Sequence, residues 1–249
     1  MRNYIFADIR RIARKQSFLA VLGAYMGLFL LMMFLYFNPT FTAEAYTAKT
    51  KTFLSFFPLF LGVLVFLAVY YDDFKSKSMQ VAIGYGISRY RVVLAKFVES
   101  ILLLLTAGLA MGLVIFVLPV LLGLPLNAVQ RTDLVCSIFA EGMRALGYIS
   151  LSAVPAFYAQ NAVGGTVLCV LLSSRTVMIL LTMILGQDFL VQVFGDLTQY
   201  LFTAQLYSIR SAFVEHGTVG MALIWTTAAY ILFPTLLSAF RFYKRELEF

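Results

Sequence analysis

The stretch that decides the fold is Ile101-Leu-Leu-Leu-Leu-Thr-Ala-Gly-Leu-Ala-Met-Gly-Leu-Val-Ile-Phe-Val-Leu-Pro-Val-Leu-Leu122, which contains no charged residue. Its apolar residues would surround a helix on every side instead of forming one stripe, which is typical of a membrane span. A hydrocarbon core about 30 Å thick needs roughly 20 apolar residues of helix. This stretch therefore predicts a transmembrane helix.

Five other runs of similar length and composition surround it along the chain. The six predicted spans are approximately 17–37, 53–71, 96–122, 134–158, 163–185 and 219–240. Hydrophobic residues make up 61% of the 249, and charged residues only 12%, against roughly 25% in soluble domains; the mean hydropathy is +0.89. We predict an all-α integral membrane protein with about six transmembrane helices, forming one domain over residues 1–249.

The fourth span is interrupted by Glu141 and Arg144, so that residues 134–147 could instead lie along the outer interface. Losing that span would move the basic C-terminal tail to the outside. Positively charged connections favour the cytoplasmic side, and this rule argues for a complete fourth span.

The orientation follows from the distribution of Lys and Arg. Thirteen of the nineteen lie in the N-terminal segment, the connection after the second span and the C-terminal tail, whereas four lie in the opposite connections. We therefore expect both termini in the cytoplasm and the chain in the cell membrane. The net charge is +7, and the basic residues lie beside apolar runs. At these positions they suit the anionic headgroups of the lipid bilayer and do not indicate a nucleic-acid partner. Cys136 and Cys169 lie inside apolar runs, so we expect no disulfide framework.

Residues 1–16 show an amphipathic pattern, with Ile5, Ile9 and Ile12 at helical spacing against several arginines. Such a helix suits the headgroup layer, as an interfacial helix. The alternative is an ordinary basic flank of the first span.

No catalytic motif occurs in the chain: it lacks a Walker loop, an HExxH sequence and a Gly-x-Ser-x-Gly elbow. The single histidine, His216, lies in the predicted outer connection 186–218 and is interpreted as a solvated loop residue. We therefore predict no enzyme activity, catalytic residue or metal site in this chain. The outer connection keeps a helical pattern of apolar residues, which indicates short helices dipping into the outer leaflet.

The connection at residues 72–95 is too long and too patterned for a simple turn. It begins with Asp72-Asp-Phe-Lys75, continues with a helical stretch from Met79 to Ile83 and then has glycines at 84 and 86. Ser88 is placed to cap the next helix. This pattern predicts helix, turn and helix, a rigid element able to dock a cytoplasmic partner.

In this connection Lys75-Ser is followed after seven residues by Gly84-Tyr-Gly-Ile-Ser-Arg89, and then by Leu94-Ala-Lys96. The segment resembles the coupling region of the membrane (permease) subunits of type-two ABC exporters. The resemblance implies a bacterial permease half that pairs with a second copy of itself or a similar permease. It also implies separate cytoplasmic ABC ATPase subunits that bind ATP and Mg²⁺, with no cofactor in this chain. The residues assigned to ATPase binding are Lys77, Met79, Ile83, Tyr85, Gly86, Ser88 and Arg89.

The function expected from this resemblance is ATP-driven export of a hydrophobic or amphipathic substrate, a peptide or a drug. The main alternative is a membrane scaffold or sensor subunit that binds a cytoplasmic protein without transport. A third is an intramembrane enzyme that uses Glu99, Glu141 and Arg144.

Four charged residues lie in or near the predicted spans, where a central charge costs roughly 2.5 to 3.5 kcal/mol. Glu141 and Arg144 are three residues apart and can form an ion pair on one helical face. Arg175, which departs from the expected family pattern, has no acidic residue on its own helix and would need Glu141 or Glu99 from a neighbouring helix. These residues either form intramembrane ion pairs or line a polar translocation path, and Glu99 lies near the cytoplasmic interface.

Overall fold

The computed structural model describes residues 2–244, without the side chains of residues 2 and 175, and this range contains helices and no strand. The helices are α1 (Arg2–Ala13), α2 (Gln16–Tyr36), α3 (Ala43–Lys75), α4 (Ser78–Gly84), α5 (Arg89–Leu121), α6 (Ala128–Ala159), α7 (Ala162–Ser173), α8 (Arg175–Leu185), α9 (Asp188–Phe194), α10 (Phe202–His216) and α11 (Met221–Lys244), with a 3-10 turn at Leu197–Tyr200.

Five of these helices, namely α2, α3, α5, α6 and α11, are long and apolar enough to cross a membrane. A sixth candidate is the pair α7 and α8, which is bent by 68° at its break. The prediction of an all-α, multi-pass membrane protein with about six spans is confirmed. The predicted span over residues 163–185 consists of two helices, because α7 ends at Ser173 and Ser174 adopts an extended backbone.

The fourth span, α6, is one continuous helix of 32 residues that passes through Glu141 and Arg144. It begins with a capping box, in which the Asn127 side chain accepts from the Gln130 N–H and the Gln130 side chain accepts from the Asn127 N–H. The alternative of a break along the outer interface at 134–147 is therefore wrong.

The second span, α3, contains two π-helical segments, Pro58–Gly62 and Leu67–Tyr71. A π-helical segment has more residues per turn than an α-helix, so the side chains beyond it point in a different direction around the helix axis. At Gly62 α3 packs closely on α6, since an added Cβ would lie 3.1 Å from the Ala145 Cβ.

One end of the bundle, called here the basic end, contains the start of α5 and the carboxyl ends of α3, α6 and α11. Arg11 of α1 contacts Asp73 near the end of α3, and Phe157 of α6 contacts both Phe74 and Phe242. The two described ends of the chain, at the start of α1 and the end of α11, thus lie at the same end of the bundle.

Helix α1 forms as the sequence predicted, but its apolar face does not turn to lipid. Ile12 belongs to the core, at 1% exposure, and Asp8 on the same side of the helix bonds Lys96 of α5. The apolar side of α1 therefore packs on the bundle, because it carries a carboxylate that needs a buried cationic partner. Phe6 and Arg10 lie on the outward side.

The opposite end, called the far end, is held by Asp133, which bonds Lys51 of α3 and Arg210 of α10. Helix α10 begins much deeper, where Phe202 packs on Gly147 of α6. Helix α7 starts at the basic end beside Ala156 and runs inward to Ser173. Helices α7 and α10 therefore pack on α6 at successive depths, and α8, α9 and the 3-10 turn connect them along the chain.

Candidate functional site

Helix α4 stands at the basic end between the long helices α3 and α5. Met79 and Ala82 are buried and attach one side of α4 to the bundle. Val81 and Tyr85 are exposed on the other side, and Tyr85 is 87% accessible. Two exposed apolar side chains four residues apart form one continuous outward surface. Val81 and Tyr85 therefore form an exposed apolar surface at the basic end.

The turns on either side of α4 are fixed by backbone geometry. Lys77, just before α4, has a φ of 54°, and Gly86, just after it, has a φ of 89°. The Gly86 N–H donates to the Ile83 carbonyl at 2.9 Å, and the Ile87 N–H donates to the Ala82 carbonyl at 3.2 Å. These two bonds are the Schellman termination that a left-handed glycine permits. Glycine 86 therefore sets the angle between α4 and α5.

The residues that the sequence assigned to partner binding divide into three groups. Lys77, Tyr85, Gly86 and Ser88 are exposed, Ile83 and Arg89 are half-buried, and Met79 is buried at 2% exposure. Met79 thus has a packing role in this structure, holding α4 in place.

Two further details of this region were not expected from the sequence. Ser88 occupies the N-cap position of α5, as predicted, but its side chain makes no capping hydrogen bond. Arg89 donates to the Tyr243 carbonyl of α11 at 3.5 Å. Val81 was missed, although its spacing of four from Tyr85 was the available signal.

Directly beneath α4 lies a buried ion cluster centred on Lys96, whose side chain has no exposure. The Lys96 ammonium contacts the carboxylates of Asp8 in α1 and Asp73 in α3, and Glu99 in α5 at 2.9 Å. An ammonium has three N–H donors, and each has one carboxylate here. The cluster therefore joins α1, α3 and α5 through one side chain.

Two more basic residues extend this cluster to the surface. Arg11 bonds Asp73 at 2.5 Å, and Lys15 bonds Asp72 at 2.5 Å. Burial lowers the pKa of Arg11, but the neighbouring carboxylates of Asp73 and Asp8 outweigh it, so the pKa is raised overall. Tyr4 covers the cluster, with the Lys96 ammonium 5.0 Å from its ring centroid, and burial raises the pKa of Tyr4 to about 12.

The intramembrane charges fall into two separate groups. Glu99 belongs to the Lys96 cluster at the basic end, whereas Glu141 and Arg144 lie halfway along α6. Arg144 bonds the Glu141 carboxylate at 2.7 Å and the Ser55 carbonyl of α3 at 2.5 Å. The predicted partners of Arg175 cannot be assigned, since its side chain lies outside the described residues; Glu99 and Glu141 are each engaged elsewhere.

A pocket of about 450 Å³ opens beside Arg144 at the break between α7 and α8. Its polar lining residues are Arg144, Tyr148, Ser173, Ser174, Thr182 and Thr203. It brings together α6, α7, α8 and the start of α10. Arg144 was a candidate from the sequence, but no pattern indicated that the fifth predicted span breaks beside it.

Within residues 2–244 no group of three or more His, Cys, Asp or Glu side chains is arranged to hold a metal ion. No known family model matches the chain, and no curated protein matches it in sequence. The fold and its surfaces define a multi-pass, all-α membrane protein.

Proposed function

We propose that the chain is the transmembrane subunit of an ATP-driven exporter of the type-two ABC kind, a permease without a catalytic site of its own. The observation that carries this proposal is α4, a short helix held at the basic end between two long spans with an exposed apolar side. Separate ATPase subunits bind ATP and Mg²⁺ and contact this surface through Val81, Tyr85 and their polar neighbours.

The attachment of α4 supports a role in passing movement to the spans. Asp73 lies at the end of the helix before α4 and Lys96 lies near the start of the helix after it, and the two side chains are paired. Buried Met79 adds a packing contact. A push on α4 therefore moves α3 and α5 together instead of bending the connection between them.

The orientation in this proposal puts the basic end in the cytoplasm. The charge distribution supports it, since Lys and Arg favour cytoplasmic connections. Both described chain ends lie at that end, which agrees with an even number of crossings. The setting is a bacterial cell membrane, and a second copy or a similar permease completes the translocation path for a hydrophobic or amphipathic peptide or drug.

The test starts with purification of the chain from its native membrane in mild detergent, followed by identification of co-purifying proteins and an ATP hydrolysis assay. We expect a near-equimolar soluble ATPase. Tyr85→Ala should reduce ATPase recovery by at least five-fold, because it removes the most exposed apolar side chain of this surface, at the C-cap of α4. Tyr207→Ala is the matched control, since Tyr207 is 69% exposed but lies on α10.

A chain that purifies without any ATPase would contradict the exporter. An ATPase that binds through Tyr85, but whose hydrolysis is insensitive to Gly86→Ala and to added substrate peptides, would favour the scaffold or sensor alternative.

A further inference from the structure

The pocket beside Arg144 lies at middle depth in the bundle. Arg144 is 16 residues from the start of α6 and 15 from its end, or about 24 Å from the start at a rise of 1.5 Å per residue. Its volume of about 450 Å³ falls within the roughly 300–1,000 Å³ typical of small-molecule sites. It is therefore a ligand-sized space in the region of lipid tails.

The two sides of the pocket differ in chemistry. One side carries Arg144 and the hydroxyl residues Ser174 and Thr203. The other side is formed by α8, whose lining residues Ile179 and Met183 are 56% and 62% exposed on the bundle surface. A molecule reaching Arg144 across α8 would pass from lipid without crossing water. The pocket suits an amphiphile, with its polar group inward and its chain among lipid tails.

The charge of the polar group follows from the same surroundings. Arg144 supplies a cation, and no described side chain caps the first turn of α8, so the positive end of that helix is unsatisfied. Glu141 pairs with Arg144 from within α6, but 18% of the Arg144 side chain stays exposed beside the pocket that it lines, where the start of α8 adds its partial positive charge. In a medium of low dielectric constant such an arrangement favours an anion.

From this geometry we infer that the pocket binds the acidic head of a single-chain amphiphile that reaches it sideways from the bilayer. The inference rests on the proposed export function, of which it names the substrate class: an acylated or otherwise long-chain molecule with a carboxylate. The break at Ser174 has a role here, since it opens the wall of the bundle at the depth of Arg144.

The binding test uses the full chain alone, in phosphatidylcholine nanodiscs at alkaline pH, with a diazirine-bearing hexadecanoic acid as the probe. Probes of the same length ending in an alcohol or an amine are the comparison. We expect adducts in peptides containing residues 144–183, with at least five-fold more from the acid than from the amine. Adducts spread over all lipid-facing helices, or equal for the three probes, would overturn the inference.

The variant test blocks the pocket without touching its charges. Ile179→Trp should reduce labelling of α6 at least five-fold, whereas Ile184→Trp should leave it unchanged, because Ile184 is equally exposed on α8 but does not line the pocket. Arg144→Gln should remove the preference for the acid over the amine. Unchanged labelling in Ile179→Trp would overturn the proposal. The labelling experiment uses the chain without any ATPase. If the purification test recovered no ATPase, the exporter proposal would be refuted, but the labelling result would still stand.

Discussion

The two groups of intramembrane charge in this protein are built in opposite ways. Lys96 at the basic end is fully buried and shares three carboxylates from three helices. Arg144 in the middle of α6 has one carboxylate from its own helix, a carbonyl of α3, and 18% of its side chain exposed beside a pocket. The difference indicates that the first group fixes helices to one another, whereas the second keeps a cation accessible.

The largest effect is expected for Lys96→Met, which leaves the buried Glu99 carboxylate without its cation and leaves Asp8 and Asp73 to share Arg11. Breaking a buried ion pair in this way costs about 3–5 kcal/mol of unfolding free energy. The loss of stability can be measured with a thiol-reactive dye that labels the fully buried Cys169 when the protein unfolds on heating. The measurement uses a Cys136→Ala background, so that Cys169 is the cysteine that reacts. Arg91→Met is the control, because Arg91 is exposed on the same helix. Equal losses for the two variants would show that the cluster does not hold the helices together.

A smaller effect is expected for Arg144→Gln, about 1–3 kcal/mol, because its partner Glu141 is not fully buried, with 18% of its side chain exposed. The same thermal measurement applies. Adding Glu141→Gln should recover part of the loss, since the pair is then removed as a unit. Adding Asp73→Asn to Lys96→Met should recover less, because the buried Glu99 carboxylate still lacks its cation. Equal recovery in the two double variants would remove the contrast between the groups.

The far end offers an intermediate case, in which Asp133→Asn should release α10 from α6 and α3. Loss of the charged hydrogen bonds to Arg210 and Lys51 should cost about 1–2 kcal/mol locally. Hydrogen exchange should then accelerate in residues 202–216 and stay unchanged in α1. Faster exchange in both regions would indicate one cooperative unit from end to end.

The smallest effect concerns the turn after α4. Gly86→Ala should cost about 1 kcal/mol, because a φ of 89° strains any residue with a Cβ. Gly84→Ala is the matched control two residues away: it meets no neighbour within 4 Å and should be neutral or stabilising by up to about 1 kcal/mol through helix propensity. Amide exchange in α4 measures both changes, and equal values would contradict the Schellman turn.

The sequence was sufficient for the parts of the fold that depend on local pattern. Span length, the Glu141–Arg144 spacing and Gly86 are all readable within a few residues. The Lys96 cluster could not be found in this way, because Asp8 and Asp73 are distant along the chain and each looks like an ordinary charged flank. The bend at Ser174 had only a weak signal, the pair Ser173-Ser174 inside an apolar run. The packing around the bend was not readable either, because it depends on α10, which contacts α6 at Gly147 and Asp133 and is distant along the chain.

The length of α3 and α5 has a mechanical consequence. Each has 33 residues, about 50 Å of helix against a hydrocarbon core of about 30 Å. Rotation of such a rod about its midpoint by about 10° displaces its tip by about 4 Å, from its half-length of about 25 Å. Because the Lys96–Asp73 ion pair joins the two helices near the end that they share, a displacement of that size at one tip would carry the other tip with it.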